Sequence, residues 1–134
     1  MRNFLIVLAL LYGGYYYVSR HYEFHDTLVY AQKHKEAKWS APVEYYVGVV
    51  YYERSDYPKA QEAFSQLLTD HPTDYDLSRA LVMLGDSAEY NRDWQAASDA
   101  LNKYLQDYPN GHDTELVRGR IDMLRYRHGN EITN

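Results

Sequence analysis

The stretch that decides the fold is a pattern of small and bulky residues: Glu44-x-x-Val47-Gly48-x-x-Tyr51, then Ala60-x-x-x-Phe64, then Pro72. Adding 37 to each number gives the same order of sizes: Leu81-x-x-Leu84-Gly85-x-x-Ala88, then Ala97-x-x-x-Leu101, then Pro109. Small residues allow two helices to approach closely, and a proline ends the second helix because it cannot continue the hydrogen-bond ladder. The period therefore predicts two stacked helical hairpins.

This pattern resembles the tetratricopeptide repeat, a helix-turn-helix unit in which W-x2-L-G-x2-Y is followed by A-x3-F and by proline. The resemblance covers residues 41–111, as one repeat at 41–74 and a second at 78–111. Glu44 and Leu81 replace the family's tryptophan, and Ala88 replaces its tyrosine in the second copy. The signature positions that carry the resemblance are Gly48, Tyr51, Ala60, Phe64, Pro72, Gly85, Ala97, Leu101 and Pro109. The Tyr-Pro-Asn-Gly stretch at 108–111 is similar to the helix endings of tetratricopeptide proteins in bacterial envelope assembly.

Two repeats leave apolar faces open at both ends, because about three repeats are normally needed for stability. We expect the flanking segments to cover those faces. Residues 21–40 are predicted to form a linking helix. Residues 112–134 are predicted to form a capping helix and tail, with Arg118, Arg120, Arg125 and Arg127 facing water. The fold class is therefore all-α, with two repeats between capping helices.

The first twenty residues are predicted to be an N-terminal transmembrane helix. The run from Phe4 to Leu11 is wholly apolar, and no charge occurs until Arg20. We expect residues 4–19 to contact the membrane as an uncleaved single-pass anchor. A cleaved signal peptide and a buried helix are the alternatives. The basic residues around the segment argue for a cytoplasmic domain, whereas its export-signal layout, which we favour, argues for a periplasmic or extracytoplasmic domain.

The resemblance also implies a binding surface, since the first helix of each tetratricopeptide unit lines a concave groove that holds a peptide or a partner's helix. Carried onto this sequence, the partner-binding positions are Tyr45, Val49, Tyr52, Glu53, Arg79, Val82, Asp86, Glu89 and Tyr90. Tyrosines with scattered charges are typical of protein interfaces. The alternative is that some of these tyrosines only pack against the flanking helices.

Little in the sequence indicates chemistry. There is no cysteine, which excludes disulfides and thiolate sites, and no glycine-rich phosphate loop. The net charge of -5 disfavours binding to nucleic acid, whose phosphates are also negative. His21 and His25 are four apart and could hold a metal or a haem on one helix face. We favour an interfacial pair of polar aromatics, and we expect no catalytic residue, no small-molecule substrate, no metal and no cofactor.

The sequence therefore predicts a non-enzymatic, membrane-anchored adaptor or accessory subunit that binds a protein partner within a membrane or envelope complex. One alternative is a small non-catalytic subunit of a respiratory or photosynthetic redox complex. The other is a periplasmic tetratricopeptide protein of envelope assembly that is released by cleavage.

Overall fold

The chain folds into α-helices throughout the residues that the computed structural model describes, which are 2–21 and 23–133 without the side chains of residues 2, 19 and 21. The predicted all-α class is confirmed. The helices are α1 (Arg2–His21), α2 (His25–Lys33), α3 (Ser40–Glu53), α4 (Tyr57–Asp70), α5 (Ser78–Tyr90), α6 (Trp94–Asp107) and α7 (Thr114–His128), and a short 3-10 helix follows at Gly129–Glu131.

The N-terminal segment forms the helix α1, but the predicted transmembrane anchor is not supported. Within residues 2–21 and 23–133, no helix combines the length and the apolar character needed to cross a bilayer. The aliphatic run ends at Leu11, and the following turns contain four tyrosines and two glycines before the charge of Arg20. These residues lower the mean hydropathy of the helix below that of a membrane span. The described side chains from Asn3 to Val18 are exposed.

Each repeat is a hairpin of two helices, α3 with α4 and α5 with α6. The helices of each hairpin approach closely at a glycine. A Cβ placed on Gly48 would lie 2.6 Å from a ring carbon of Phe64, and one on Gly85 would lie 2.9 Å from a methyl carbon of Leu101. Glycine gives the closest fit at both positions because the opposing side chain occupies the space that a methyl group would need, and that side chain would have to shift to admit one.

The turn inside each hairpin has the same backbone in both repeats. Ser55 and Arg92 each have φ of 59°, in the left-handed region that ends many helices. Three residues separate the paired helices in each case, residues 54–56 and 91–93. The second helices end at Asp70 and Asp107, two residues before Pro72 and Pro109. The period of 37 residues therefore reproduces one backbone unit twice.

The flanking helices cover the ends of the two repeats. On the N-terminal side, α2 buries Leu28 and Ala31. On the C-terminal side, α7 buries Val117, Ile121 and Leu124. Glu23 and Phe24 belong to neither helix, so α2 is a helix separate from α1. One apolar core runs from Leu28 in α2 to Ile121 in α7.

Candidate functional site

A pocket of about 600 Å³ lies between the first helix of the second repeat and the C-terminal helix. We call it the α5–α7 groove. It is lined by α5, by the start of α6 and by α7. The lining residues are Val82, Asp86, Glu89, Tyr90, Trp94, Leu116, Arg120, Met123, Leu124, Arg127 and His128.

The floor of the groove is a three-membered ion-pair cluster. The guanidinium of Arg120 on α7 lies 2.5 Å from a carboxylate oxygen of Asp86 and 2.7 Å from one of Glu89, both on α5. The side chain of Arg120 is only 20% exposed, so these bonds are partly shielded from water. Partial burial makes the pairs stronger than surface pairs and fixes the position of α7 against α5.

The cluster also extends to the first repeat. The hydroxyl of Tyr52 on α3 donates a hydrogen bond to Asp86 at 3.2 Å. Burial, with the nearby charge of Asp86, raises the pKa of Tyr52 to about 12. Tyr52 therefore stays protonated and keeps donating over the physiological pH range. The first helices of both repeats and α7 are thus joined by one polar network.

Stacked rings lie beside this network. Tyr57 and Tyr90 stack with ring centroids 4.1 Å apart, and they connect the start of α4 to the end of α5. Trp94 and His128 stack at 3.7 Å and connect α6 to the end of α7. Such pairs add to the free energy of packing beyond the buried area and hold the rings in fixed orientations. The groove is therefore a pre-organised surface.

Two exposed apolar side chains line the groove beside the ion-pair cluster. Leu116 is 56% exposed and Met123 is 55% exposed, and both line the groove from α7. Tyr90 contributes a third exposed apolar surface from α5. Apolar side chains gathered in a concave, pre-organised site are typical of positions that become buried when a partner binds.

The predicted binding positions divide between the two repeats. Those on α5 come together in the groove: Val82, Asp86, Glu89 and Tyr90. Those on α3 do not line it. Tyr45 packs on the rings of Phe64 and Tyr75, with centroids 6.3 and 6.0 Å away, and Val49 is also half-buried against the core. Glu53 and Arg79 are exposed, and Arg79 lines a different, more polar pocket near Tyr108.

Sequence reasoning missed the contribution of α7. Arg120 does not face water as predicted, because it turns into the groove to pair with Asp86 and Glu89. The missed signal is the spacing of Leu116, Arg120, Met123 and Arg127, which places all four on one face of a helix. Reading α7 as the first helix of a third, incomplete unit predicts that this face contributes to a groove.

The paired histidines do not share a helix. His21 ends α1 and its side chain lies outside the described residues, whereas His25 begins α2 and its ring lies 3.8 Å from the carboxylate of Glu62. In the part of the chain that the structure describes, no three histidine, aspartate or glutamate side chains come together as a possible metal site. The predicted alternative of a metal held by His21 and His25 thus gains no support from this geometry.

Comparison with protein families supports the resemblance drawn from the signature residues. The model of the tetratricopeptide repeat family matches residues 43–74 and 79–111. No curated protein and no solved structure matches the chain. Tetratricopeptide proteins are typically non-catalytic scaffolds that bind other proteins. The two matched segments coincide with the two hairpins, α3 with α4 and α5 with α6, which supports a relation to the tetratricopeptide repeat family.

Proposed function

We propose that this protein is an adaptor that holds a protein partner in the α5–α7 groove. The observation that carries the proposal is the exposure of Leu116 and Met123 beside the Arg120 ion-pair cluster. Covering exposed apolar side chains with a partner removes their surface from water, which is favourable. The groove positions that the family resemblance implies on α5 face the same space.

The charges of the groove floor favour a partner that approaches with apolar or aromatic anchors. Arg120 already satisfies Asp86 and Glu89, so a partner need not supply a charge to neutralise them. Its contribution is then shape and apolar area at Leu116, Met123 and Tyr90. Such a contact matches the usual anatomy of interfaces, in which a few apolar anchors sit near the centre.

Paired substitutions on α7 test the groove directly. Leu116→Ser combined with Met123→Ser removes both exposed apolar side chains, and neither residue is part of the buried core. Tyr126→Ser is the matched control, because Tyr126 lies on the same helix, is 91% exposed and does not line the groove.

The readout is the set of proteins that co-purify with the tagged full chain, quantified at fixed bait. We expect the double variant to lose a partner that the unmodified chain and Tyr126→Ser both retain. Equal retention by all three proteins would contradict the groove as the binding site. Circular dichroism confirms that each variant keeps its helical content.

We propose further that the adaptor works at a membrane surface, as an accessory subunit of a membrane complex. The support is α1, whose apolar side chains from Phe4 to Leu11 are exposed along with its tyrosines. Exposed aliphatic side chains in the first turns of α1 are unfavourable in water, and the interfacial region of a bilayer would cover them and accommodate the tyrosines that follow. This proposal places the helix at the surface of the bilayer and not across it.

Vesicle co-sedimentation tests the membrane proposal. The full chain should pellet with phosphatidylcholine vesicles, and Leu5→Asp with Leu8→Asp should remain in the supernatant because charges oppose insertion. Sedimentation of the two proteins to the same extent would contradict it.

A further inference from the structure

A cluster of buried polar side chains joins α2 to the first repeat. Its centre is Glu44 on α3, whose side chain is fully buried. Ser40 precedes Glu44 by one helical turn on α3. Gln66 approaches Glu44 from α4, and His71, the residue just after α4, approaches it from the same side of the repeat. Among the described side chains, no lysine or arginine pairs with Glu44. Such burial is unusual because ionisation of a carboxyl group in an apolar site is strongly unfavourable.

Glu44 is only partly satisfied by its neighbours. Its Oε1 accepts a hydrogen bond from the Ser40 hydroxyl at 3.4 Å and another from the Gln66 amide at 3.3 Å. Among the described residues, its Oε2 has no hydrogen-bond partner, and the nearest cationic candidate is Nε2 of His71 at 4.0 Å. One carboxyl oxygen is therefore poorly provided for whenever Glu44 carries a negative charge.

The two donors that reach Glu44 also hold α2. The Ser40 hydroxyl donates to the backbone carbonyl of Ala31 at 2.9 Å, and the Gln66 amide donates to the carbonyl of Leu28 at 3.3 Å. Ser40 has a single hydroxyl proton, so Ala31 and Glu44 compete for it, and Nε2 of His71 also lies 3.3 Å from the Ser40 oxygen. The Gln66 amide has two protons and can donate to Leu28 and Glu44 at the same time. The contact between α2 and the repeat therefore depends on how strongly the carboxyl group attracts the Ser40 proton.

We propose that α2 is a latch on the first repeat, held closed while Glu44 is protonated and loosened when Glu44 becomes ionised. A neutral carboxyl group leaves the Ser40 proton to the carbonyl of Ala31, while the two protons of the Gln66 amide serve Leu28 and Glu44. An ionised carboxylate makes a stronger, charge-assisted hydrogen bond with Ser40 and draws its proton away from Ala31. The negative charge also repels the carbonyl oxygens of Ala31 and Leu28.

The surroundings of Glu44 favour its neutral form in the closed state. Burial raises the pKa of Glu44 above its ordinary value, and the nearby carboxylate of Asp70 acts in the same direction. The Gln66 and Ser40 hydrogen bonds and His71 act in the opposite direction, without cancelling the effect of burial. Because the pKa of Glu44 is raised in the folded protein, the closed position of α2 is stabilised at low pH, and this stabilisation is lost as the pH rises through that pKa.

Other titratable groups near α2 must be separated from Glu44. His71 is bound at Nδ1 by the exposed carboxylate of Asp74, 3.0 Å away. On α2 itself, His25 pairs with Glu62 of α4 at 3.8 Å. This second contact also joins α2 to α4, so a variant at His25 is needed as a control.

Opening the latch would expose an apolar face of the first repeat. In the closed state, α2 buries Leu28 and Ala31, and the ring of Phe24 just before it packs edge-on against Tyr51 with centroids 5.4 Å apart. This face is at the opposite end of the repeats from α7. The latch is therefore independent of the partner proposed for the α5–α7 groove.

Distance measurement between two spin labels tests the latch. The chain has no cysteine, so Gln32→Cys on α2 and Ser65→Cys on α4 give one labelled pair in the full chain, both at exposed positions. We expect one narrow distance distribution at about pH 5 and a longer, broader one at about pH 8, a range above the ordinary pKa of glutamate. Adding Glu44→Gln should keep the narrow distribution at both values, because an amide cannot ionise.

The control is His25→Gln in the same labelled background. Persistence of the pH-dependent shift in this variant supports the assignment to Glu44. If the labelled chain that retains Glu44 shows the same distance distribution at both pH values, the latch is overturned. A shift that disappears with His25→Gln, or one that survives Glu44→Gln, would also overturn it. If circular dichroism shows that Glu44→Gln does not fold, the comparison of the two pH values and the comparison with His25→Gln still decide the question.

Discussion

The two repeats share a backbone but differ in what their cores are made of. Both have a glycine at the crossing of their helices and a left-handed residue with φ of 59° at the turn. Glu44 and Leu81 occupy equivalent positions, and both are completely buried. The first repeat thus buries a carboxyl group where the second buries an aliphatic side chain.

This difference follows from what each repeat packs against. Glu44 lies beside Ser40 and Gln66, which bind the carbonyls of α2, whereas Leu81 belongs to a continuous apolar core. The family pattern fixes where a side chain is buried. The neighbouring helix decides whether that side chain can be polar.

Placing each residue type at the other position, in two single variants, should produce the largest difference in stability between the repeats. Leu81→Glu buries a carboxyl group with no donors arranged around it, and we expect it to lower the free energy of unfolding by about 4 kcal/mol or more. Glu44→Leu removes a poorly satisfied carboxyl group and should change it by about 1 kcal/mol or less at neutral pH. Urea denaturation measures both, and equal losses would show that the two sites are not different in kind.

The two crossing glycines should differ in their tolerance of a methyl group. Gly48→Ala meets the rigid ring of Phe64 and should cost about 3 kcal/mol, whereas Gly85→Ala meets the end of Leu101, which can rotate, and should cost about 1 kcal/mol. Phe64→Leu copies the second repeat and should recover part of the loss in the Gly48→Ala background. A purely additive loss would argue that Phe64 is not the cause.

Tyr52 provides a pH-dependent contrast, because only the first repeat sends a tyrosine to Asp86. Its pKa of about 12 means that the folded state favours the protonated ring. The resulting stabilisation is complete below about pH 10, the unfolded value, and is lost as pH rises towards 12. We expect this stabilisation of the folded state to be about 1 kcal/mol after allowing for solvent screening.

The measurement for Tyr52 is denaturation as a function of pH in the unmodified chain and in Tyr52→Phe. The unmodified chain should lose stability more steeply above about pH 10. Parallel curves would mean that the bond to Asp86 contributes nothing in solution.

The smallest contrast concerns the helix starts. Asp93 accepts a hydrogen bond from the backbone N–H of Ala96 at 3.1 Å, whereas Asp56, its equivalent, makes no capping bond. Asp93→Ala should therefore cost about 1 kcal/mol and Asp56→Ala only a few tenths. Thermal denaturation of the two variants ranks them, and the reverse order would contradict this assignment of the caps.

The helical hairpins could be predicted from the sequence because their signals are local. Gly48 and Gly85, the prolines and the 37-residue offset depend on residue size and spacing, which a chain displays directly. The same locality explains why the ends of the helices at Pro72 and Pro109 could be anticipated.

The groove could not be predicted fully because its key contacts join distant residues. Arg120 meets Asp86 only when α7 docks, and the spacing that places Arg120 on one helix face with Leu116 does not show which helix that face contacts. Tyr45 looked like a binding residue because tyrosine suits both interfaces and cores, and packing on Phe64 decides which. The burial of Glu44 was equally hidden, since glutamate is usually exposed.

The central claim, that a protein partner binds in the α5–α7 groove, is tested most directly by photo-crosslinking. A benzophenone amino acid is placed at Met123 within the groove or at Tyr126 outside it, on the same helix. We predict that irradiation of the full chain in its own cells yields an adduct of one defined mass from position 123 and none of that mass from position 126. The same adduct from both positions, or an adduct from position 126 alone, would contradict the account.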